Sequence, residues 1–210
     1  MSCAGKSDPM PRSIFERFAR RDVEDLIAEY PLAWVNGVDG HAEHASLLPL
    51  LLQRGAGGGP EILLGHMART NPLVSLFDTN PKALILFRGP QAYVGPAQAG
   101  RRDWVPTWNY AQVRIEASIT LLPEMGDAAL RALVDHMESR EAAPWAVEET
   151  GPRYQPMVKA IIAFEARIER VAGKFKLGQD ETPETLHHIL DRHPDESLTR
   201  WMRRMNSARL

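Results

Sequence analysis

Cysteine is nearly absent: Cys3 is the only one in 210 residues. A lone thiol excludes an intrachain disulfide framework and a cysteine-based metal cluster, and fits a reducing compartment. Long apolar runs are missing as well. None approaches the roughly 20 residues of a spanning helix, and the first ten residues, MSCAGKSDPM, carry no apolar stretch of the signal-peptide kind. The expectation is a cytoplasmic chain with no membrane partner and a disordered start over 1–10. Nor is there an excess of one charge, with 25 Lys plus Arg against 27 Asp plus Glu and a net charge of −2. That balance excludes a polyanion binder acting through its overall charge, so any nucleic-acid contact must come from a local patch. The glycines of RGAGGGP at 54–60 lack the Lys-Ser/Thr ending of a phosphate-binding P-loop. His41 and His44, and the group His187, His188 and His193, resemble metal spacings only loosely, without an HExxH motif or supporting cysteines, so no metal is expected.

What is present is concentrated at 105–121, VPTWNYAQVRIEASITL. From Tyr110 the residues alternate. Ala111, Val113, Ile115, Ala117, Ile119 and Leu121 fall on one side, and Tyr110, Gln112, Arg114, Glu116, Ser118 and Thr120 on the other. Such a period of two marks a strand with one buried face. Two readings stay open for the rest: a half-exposed barrel strand with a turn before it, or a polar face and a Trp108–Tyr110 wall arranged for a flat ligand.

The remaining chain supplies a mixed set of elements. Residues 11–30 hold either a capping box at Ser13 and Glu16 or a later helix capped by Asp22 and carrying Val23, Leu26, Ile27 and Tyr30; the later helix is favoured, with Phe15 and Phe18 in an extended lead-in. Strands are expected at 32–36 and at 45–53, the second apolar enough to be buried on both faces, joined by a turn with Gly37, Asp39 and Gly40. A third strand at 61–66 leads through 67–70 to Asn71-Pro72, a helix start, and Asn80-Pro81 ends that helix. Residues 83–87 form an apolar strand, bent at Gly89-Pro90 and continued over 91–94. Beyond the organising strand come a helix at 127–140, a strand at 162–168, a basic loop over 173–178, and helices at 182–192 and 195–207. Strands joined mostly by tight turns favour an antiparallel barrel over a doubly wound sheet.

One turn stands out as an anion site. In 65–71, GHMARTN, a strand end meets a helix start, so main-chain N–H groups, the helix dipole, Arg69 and Thr70 can converge on a phosphate. The plain alternative is that Arg69 pairs with Asp78 or Glu61. The C-terminal helix, with Arg200, Arg203, Arg204 and Arg209 among Leu198, Trp201, Met202 and Met205, reads as an amphipathic docking helix before it reads as a DNA contact.

Several pieces, in order along the chain, resemble the PaiB-like family of FMN-binding negative transcriptional regulators and, more remotely, the pyridoxamine-phosphate oxidase group. They are ASLLPLLL (45–52), ILLGHMARTNP (62–72), ALILFRGPQAYVGP (83–96), VPTWNY (105–110), PW (144–145) and AIIAFEARIERVAGKFKLGQD (160–180). The resemblance implies a mainly β fold, an antiparallel split β-barrel over 11–180 with peripheral helices and a C-terminal helical extension over 181–210. It also implies a homodimer with FMN held between subunits. By the same resemblance Ser46 lies under the isoalloxazine ring, His66, Met67, Arg69 and Thr70 surround the phosphate, Trp108 and Gln112 stand at the ring edge, and Lys174 and Gln179 belong to a loop that closes the site. The chain also departs from the family pattern. Leu47 and Gln91 replace two histidines, Gly95 and Gly178 replace two serines, and Asp180 replaces an asparagine, each change removing or altering a polar contact worth about 1 kcal/mol. Three readings therefore remain: an FMN-binding regulator with DNA as a further partner, a flavin-dependent oxidoreductase using a reduced nicotinamide, and a barrel that has lost its flavin and acts as a scaffold.

Overall fold

The computed structural model describes residues 13–39, 41–54 and 60–210. The glycine run at 55–59 and the start at 1–10 lie outside the described residues. Ser13 caps a single 3-10 turn, Ile14–Glu16. Helix α1 follows at Arg20–Glu29, three residues earlier than Asp22 as N-cap would place it. Asp22 instead works from inside the first turn, accepting the Ala19 N–H at 2.7 Å, which satisfies a donor the helix start would otherwise leave bare.

Strands β1 (Leu32–Gly37), β2 (Ala45–Arg54) and β3 (Pro60–Ala68) lead into α2 (Pro72–Thr79), then β4 (Lys82–Val94), α3 (Pro96–Ala99) and β5 (Thr107–Leu122). After α4 (Gly126–Glu138) and α5 (Tyr154–Lys159) the chain returns as β6 (Ile161–Lys176) and ends in α6 (Pro183–Arg192) and α7 (Glu196–Met205). The strands close into a barrel in the order β1-β2-β3-β6-β5-β4. Every register resolved between neighbours is antiparallel, so the expected antiparallel barrel with peripheral helices is what forms. Among the described residues no helix is long and apolar enough to cross a membrane.

The alternation read in β5 is the burial pattern observed: Ala111, Val113 and Ile115 are fully buried, with Ala117 and Ile119 nearly so. Strand β2 departs from expectation. Its Leu48 and Leu50 are buried while Leu47 is 47% exposed, because a barrel interior takes alternate residues only and the outer face is buried solely where a helix lies on it. On β3 and β6 such cover exists, with Leu64 and Ala163 packed against Ala129 of α4. A second departure is the expected basic loop at 173–178. Strand β6 runs on through Lys176, and Phe175 is fully buried, stacked at 6.0 Å on Trp201 and 5.3 Å from Phe18.

By contacts the chain divides into two compact units. One comprises Ala19–Gly89 and Gln112–Gly173; the other comprises Pro90–Ala111 and Lys174–Leu210 with the described part of Met1–Phe18.

The interior leaves little spare room. Gly65 pairs with Leu50 on one side and Phe164 on the other, and a Cβ at Gly65 would stand 2.5 Å from Leu50 Cδ2 and 2.7 Å from Phe164 Cζ. The glycine is what lets a phenylalanine fill the barrel at that level. Gly65→Ala should therefore lower the unfolding free energy by about 1–3 kcal/mol through overpacking, read from the urea midpoint at unchanged m-value.

Candidate functional site

In the Ala19–Gly89 and Gln112–Gly173 unit, β3 ends at Ala68 and the chain turns through Arg69 and Thr70 into α2. The Asn71-Pro72 start works as the sequence suggests. Asn71 Oδ1 accepts the Leu73 N–H at 3.0 Å and Asn71 O the Val74 N–H at 3.0 Å, and Pro72 has no N–H to give. The N–H groups of Leu73 and Val74 are thereby taken up by the cap, and those of Arg69 and Asn71 by Ala160 O and Ala68 O at 2.9 Å each. The donors the turn offers an anion are therefore mainly side chains.

Arg69 is exposed, and its guanidinium is fixed. Nε donates to Lys159 O at 2.9 Å and Nη2 to Pro123 O at 2.9 Å. Of five guanidinium N–H groups this leaves three, with the exposed Thr70 hydroxyl beside it in sequence. The bonds run to carbonyls, and the pairing with Asp78 weighed from the sequence is not made. His66 is half-buried on the outer face of β3. Burial pushes its pKa below the ordinary histidine value, so near neutral pH it is an uncharged imidazole with a single N–H to donate. Met67 is 2% exposed and faces the barrel core, which leaves only its main chain for a ligand.

Ser46 and the turn are brought together through Asn71, whose Nδ2 donates to Ser46 Oγ at 3.0 Å. The hydroxyl is thus engaged in holding the helix start. Gln112 is half-buried on the outer face of β5, which also carries Arg114 and Glu116, the latter paired with Arg170 at 2.6 Å. Elsewhere on this unit's surface Trp34 stands opposite Leu47 of β2 and Leu86 of β4. With Tyr30, Pro31, Leu32 and Arg88 these three line a groove of about 300 Å³.

In the other unit Trp108 is 56% exposed and Tyr93 51% exposed, their rings edge to face at 6.0 Å. Tyr93 of β4, not Tyr110, is the ring that meets Trp108. Lys176 Nζ donates to Thr107 Oγ1 at 2.5 Å and to Trp108 O at 3.1 Å. Lys174 is half-buried on the same strand. Gln179 has both ends of its amide on main chain, Nε2 donating to Phe175 O at 2.6 Å and Oε1 accepting the Leu177 N–H at 2.7 Å. Its amide pins the turn after β6. Gly178 in that turn has φ of 84°, and a Cβ there would lie 2.9 Å from Met202 Cε.

Sequence reasoning singled out Asn71 only as a cap and missed Tyr93. The signal for Tyr93 was weak: Gln91 and Tyr93 are simply alternate residues in a short apolar stretch. The carbonyls that fix Arg69 leave no trace in the sequence at all, being main-chain atoms 54 and 90 residues away.

Residues 10–170 match the family described as "Putative FMN-binding domain". Among curated relatives, the chain is 26% identical over 137 residues to the protease synthase and sporulation protein PAI 2 of Bacillus subtilis, a match covering 64% of this chain and 65% of that protein. It is 27% identical over 160 residues to an uncharacterized protein of Aspergillus fumigatus, covering 58% of this chain and 61% of that one. The chain thus spans less than two thirds of the length of the curated relatives it matches. Similar solved structures include a flavocytochrome from Azotobacter vinelandii, with TM-score 0.57, 15% identity and coverage of 77% of this chain and 69% of that one. Another is an FAD and heme binding protein from Mycobacterium smegmatis, with TM-score 0.52, 18% identity and coverage of 80% and 77%. At these identities the structures establish a shared fold.

The shift at His66 has a consequence for stability. The folded protein binds the His66 proton less readily than the unfolded chain does, so stability falls as pH drops below about 6.5, the ordinary histidine range. Wild type should lose more stability than His66→Gln between pH 7.5 and 5.5 in urea melts; equal losses would mean that the site is not desolvated in solution.

Proposed function

Because this chain belongs to the family described as "Putative FMN-binding domain", we propose that it binds FMN, with the phosphate held at Arg69 and Thr70. The observation that carries this reading is a guanidinium pinned by two carbonyls at 2.9 Å. Pinning removes much of the rotamer entropy an arginine loses on binding, and three N–H groups remain for a phosphate dianion. The donor set fits the group: a fixed positive charge, an exposed hydroxyl, and a neutral His66 that can donate without adding charge. The Ser46–Asn71 bond keeps the turn in place. Bound FMN would supply one- and two-electron transfer, and the chain's own part is to bind and orient it.

Leu47, Gln91, Gly95 and Gly178 support a second reading, a barrel that no longer holds flavin, since each lacks a polar group of the family pattern. Titration of the purified protein with FMN, followed by flavin fluorescence, separates the two. Binding that weakens by about 1.5–3 kcal/mol in Arg69→Ala, roughly 10- to 150-fold, supports the phosphate assignment. An unchanged Kd would remove it, and no binding by the wild-type chain would favour the flavin-free reading.

We also propose that the chain pairs with a second copy across the Trp34 face. Leu32, Trp34 and Leu47 are each about half exposed, and a contiguous apolar surface of this kind marks an interaction site. The regulatory role implied by the family resemblance is proposed for the flavin-bound dimer. Helix α7 lends no separate support to a DNA contact: Arg203 donates to Leu190 O and lies 3.8 Å from Asp191, and Arg204 lies over the Trp201 ring. Trp34→Asp should shift the sedimentation coefficient from dimer to monomer while leaving the circular dichroism spectrum intact; a monomeric wild type would refute the pairing.

A further inference from the structure

Resting on the reading of Arg69 as the partner of the phosphate, we propose that Tyr154 and Asp127 are positioning residues: their hydrogen bond aims the Arg69 guanidinium and makes the site select a phosphorylated flavin over one without a phosphate. All the residues concerned belong to the Ala19–Gly89 and Gln112–Gly173 unit. Arg69 is tied to two segments at once. Its main-chain N–H donates to Ala160 O and its Nε to Lys159 O, both at the exit of α5, whereas Nη2 donates to Pro123 O, just ahead of α4, each at 2.9 Å. A shift of α5 against α4 would let the guanidinium keep one side-chain acceptor and lose the other. Its aim therefore depends on how these two helices are held together.

Tyr154 supplies that hold. Helix α5 has six residues, too few to keep its place by its own hydrogen bonds. It is reached through an exposed stretch in which Gly151 stands at φ of 63° and a Cβ would meet nothing within 4 Å. Over 148–161 Tyr154 is the one buried residue. Its hydroxyl donates at 2.7 Å to Asp127 Oδ1, in the first turn of α4. The other carboxylate oxygen, Asp127 Oδ2, accepts the Arg131 Nε–H at 2.9 Å, and the Arg131 guanidinium lies over the Tyr154 ring at 5.3 Å. One turn on from Tyr154, Val158 O lies against the start of α4, 3.5 Å from where a Cβ at Gly126 would stand. The clamp does not titrate near neutral pH. Burial and the Asp127 carboxylate push the Tyr154 hydroxyl up to about 12, while Tyr154 and Arg131 hold the Asp127 carboxyl below its usual range. An apolar side chain would seat a short helix as well. A directional bond also sets its register against α4, and hence the separation of Lys159 O from Pro123 O.

The test is titration of the full chain with FMN and with riboflavin, which lacks the phosphate, followed by flavin fluorescence. Tyr154→Phe keeps the ring and removes only the hydroxyl. It should weaken FMN about 2- to 10-fold, the range expected when one fixed side chain must be ordered anew on binding, and leave riboflavin unchanged. In an Arg69→Ala background the same substitution should have no further effect, since the two act through one group. The ligand-free chain gives an independent readout. The Arg69 Nε–H resonance, assigned by its disappearance in Arg69→Ala, should exchange with water several-fold faster in Tyr154→Phe, with the circular dichroism spectrum unchanged. FMN weakened by Arg69→Ala but not by Tyr154→Phe would overturn the proposal while keeping the phosphate assignment, as would an Nε–H exchange rate that does not change. Equal weakening of FMN and riboflavin, or full additivity with Arg69→Ala, would overturn it by showing a general loosening of the fold. Indifference of FMN to Arg69→Ala would remove the phosphate assignment itself, and the proposed selection with it.

Discussion

A six-stranded barrel closed on itself has an interior so narrow that side chains must fill it completely, and this limit on volume governs the rest of the molecule. It dictates the small and branched residues inside β5, and it requires a glycine where Leu50 and Phe164 meet. Closure also removes every strand edge that would invite another chain. A barrel filled in this way cannot hold a ligand at its centre. Whatever chemistry the chain performs is displaced to strand ends and to the outward residues that the pleat sets opposite the core.

The surface shows the effect. Some outward charges are neutralised by near neighbours, such as Glu116 with Arg170 and Lys82 with Glu169 at 2.6 Å, and these exposed pairs contribute little to stability. Arg69 and Lys176 differ: each is a cation fixed by neutral oxygens. Oxygens of this kind hold a cation in place without themselves cancelling its field. The Trp34 groove is the apolar counterpart, a cross-strand row of Leu47, Trp34 and Leu86 made possible by the same alternation.

How much of this was legible in the sequence depended on whether the governing interaction was local. The β5 alternation, the Asn71-Pro72 and Thr182-Pro183 helix starts, and the Asp195 cap of α7 are local and were readable. The run of β6 through Phe175 was not, because Gly173 looks like a break until the ring finds Trp201, 26 residues later. Strand β2 misled for a related reason: composition does not reveal which outer positions receive a helix. At the candidate site, the residue types at 66–71 pointed to an anion, but which N–H groups stay open to one was not readable. Asn71 is both the signal of a helix start and the group that takes up two of its N–H donors.

Gly178 ties the turn after β6 to the helices that follow it. Its left-handed backbone, with the side-chain tips of Met202 and Leu186 next to the space a Cβ would need, makes any larger residue there strained in its backbone and obliges both tips to give way. The end of the last strand and the packing of the two C-terminal helices are therefore set by the same missing side chain, so that a change at this one position is felt in both.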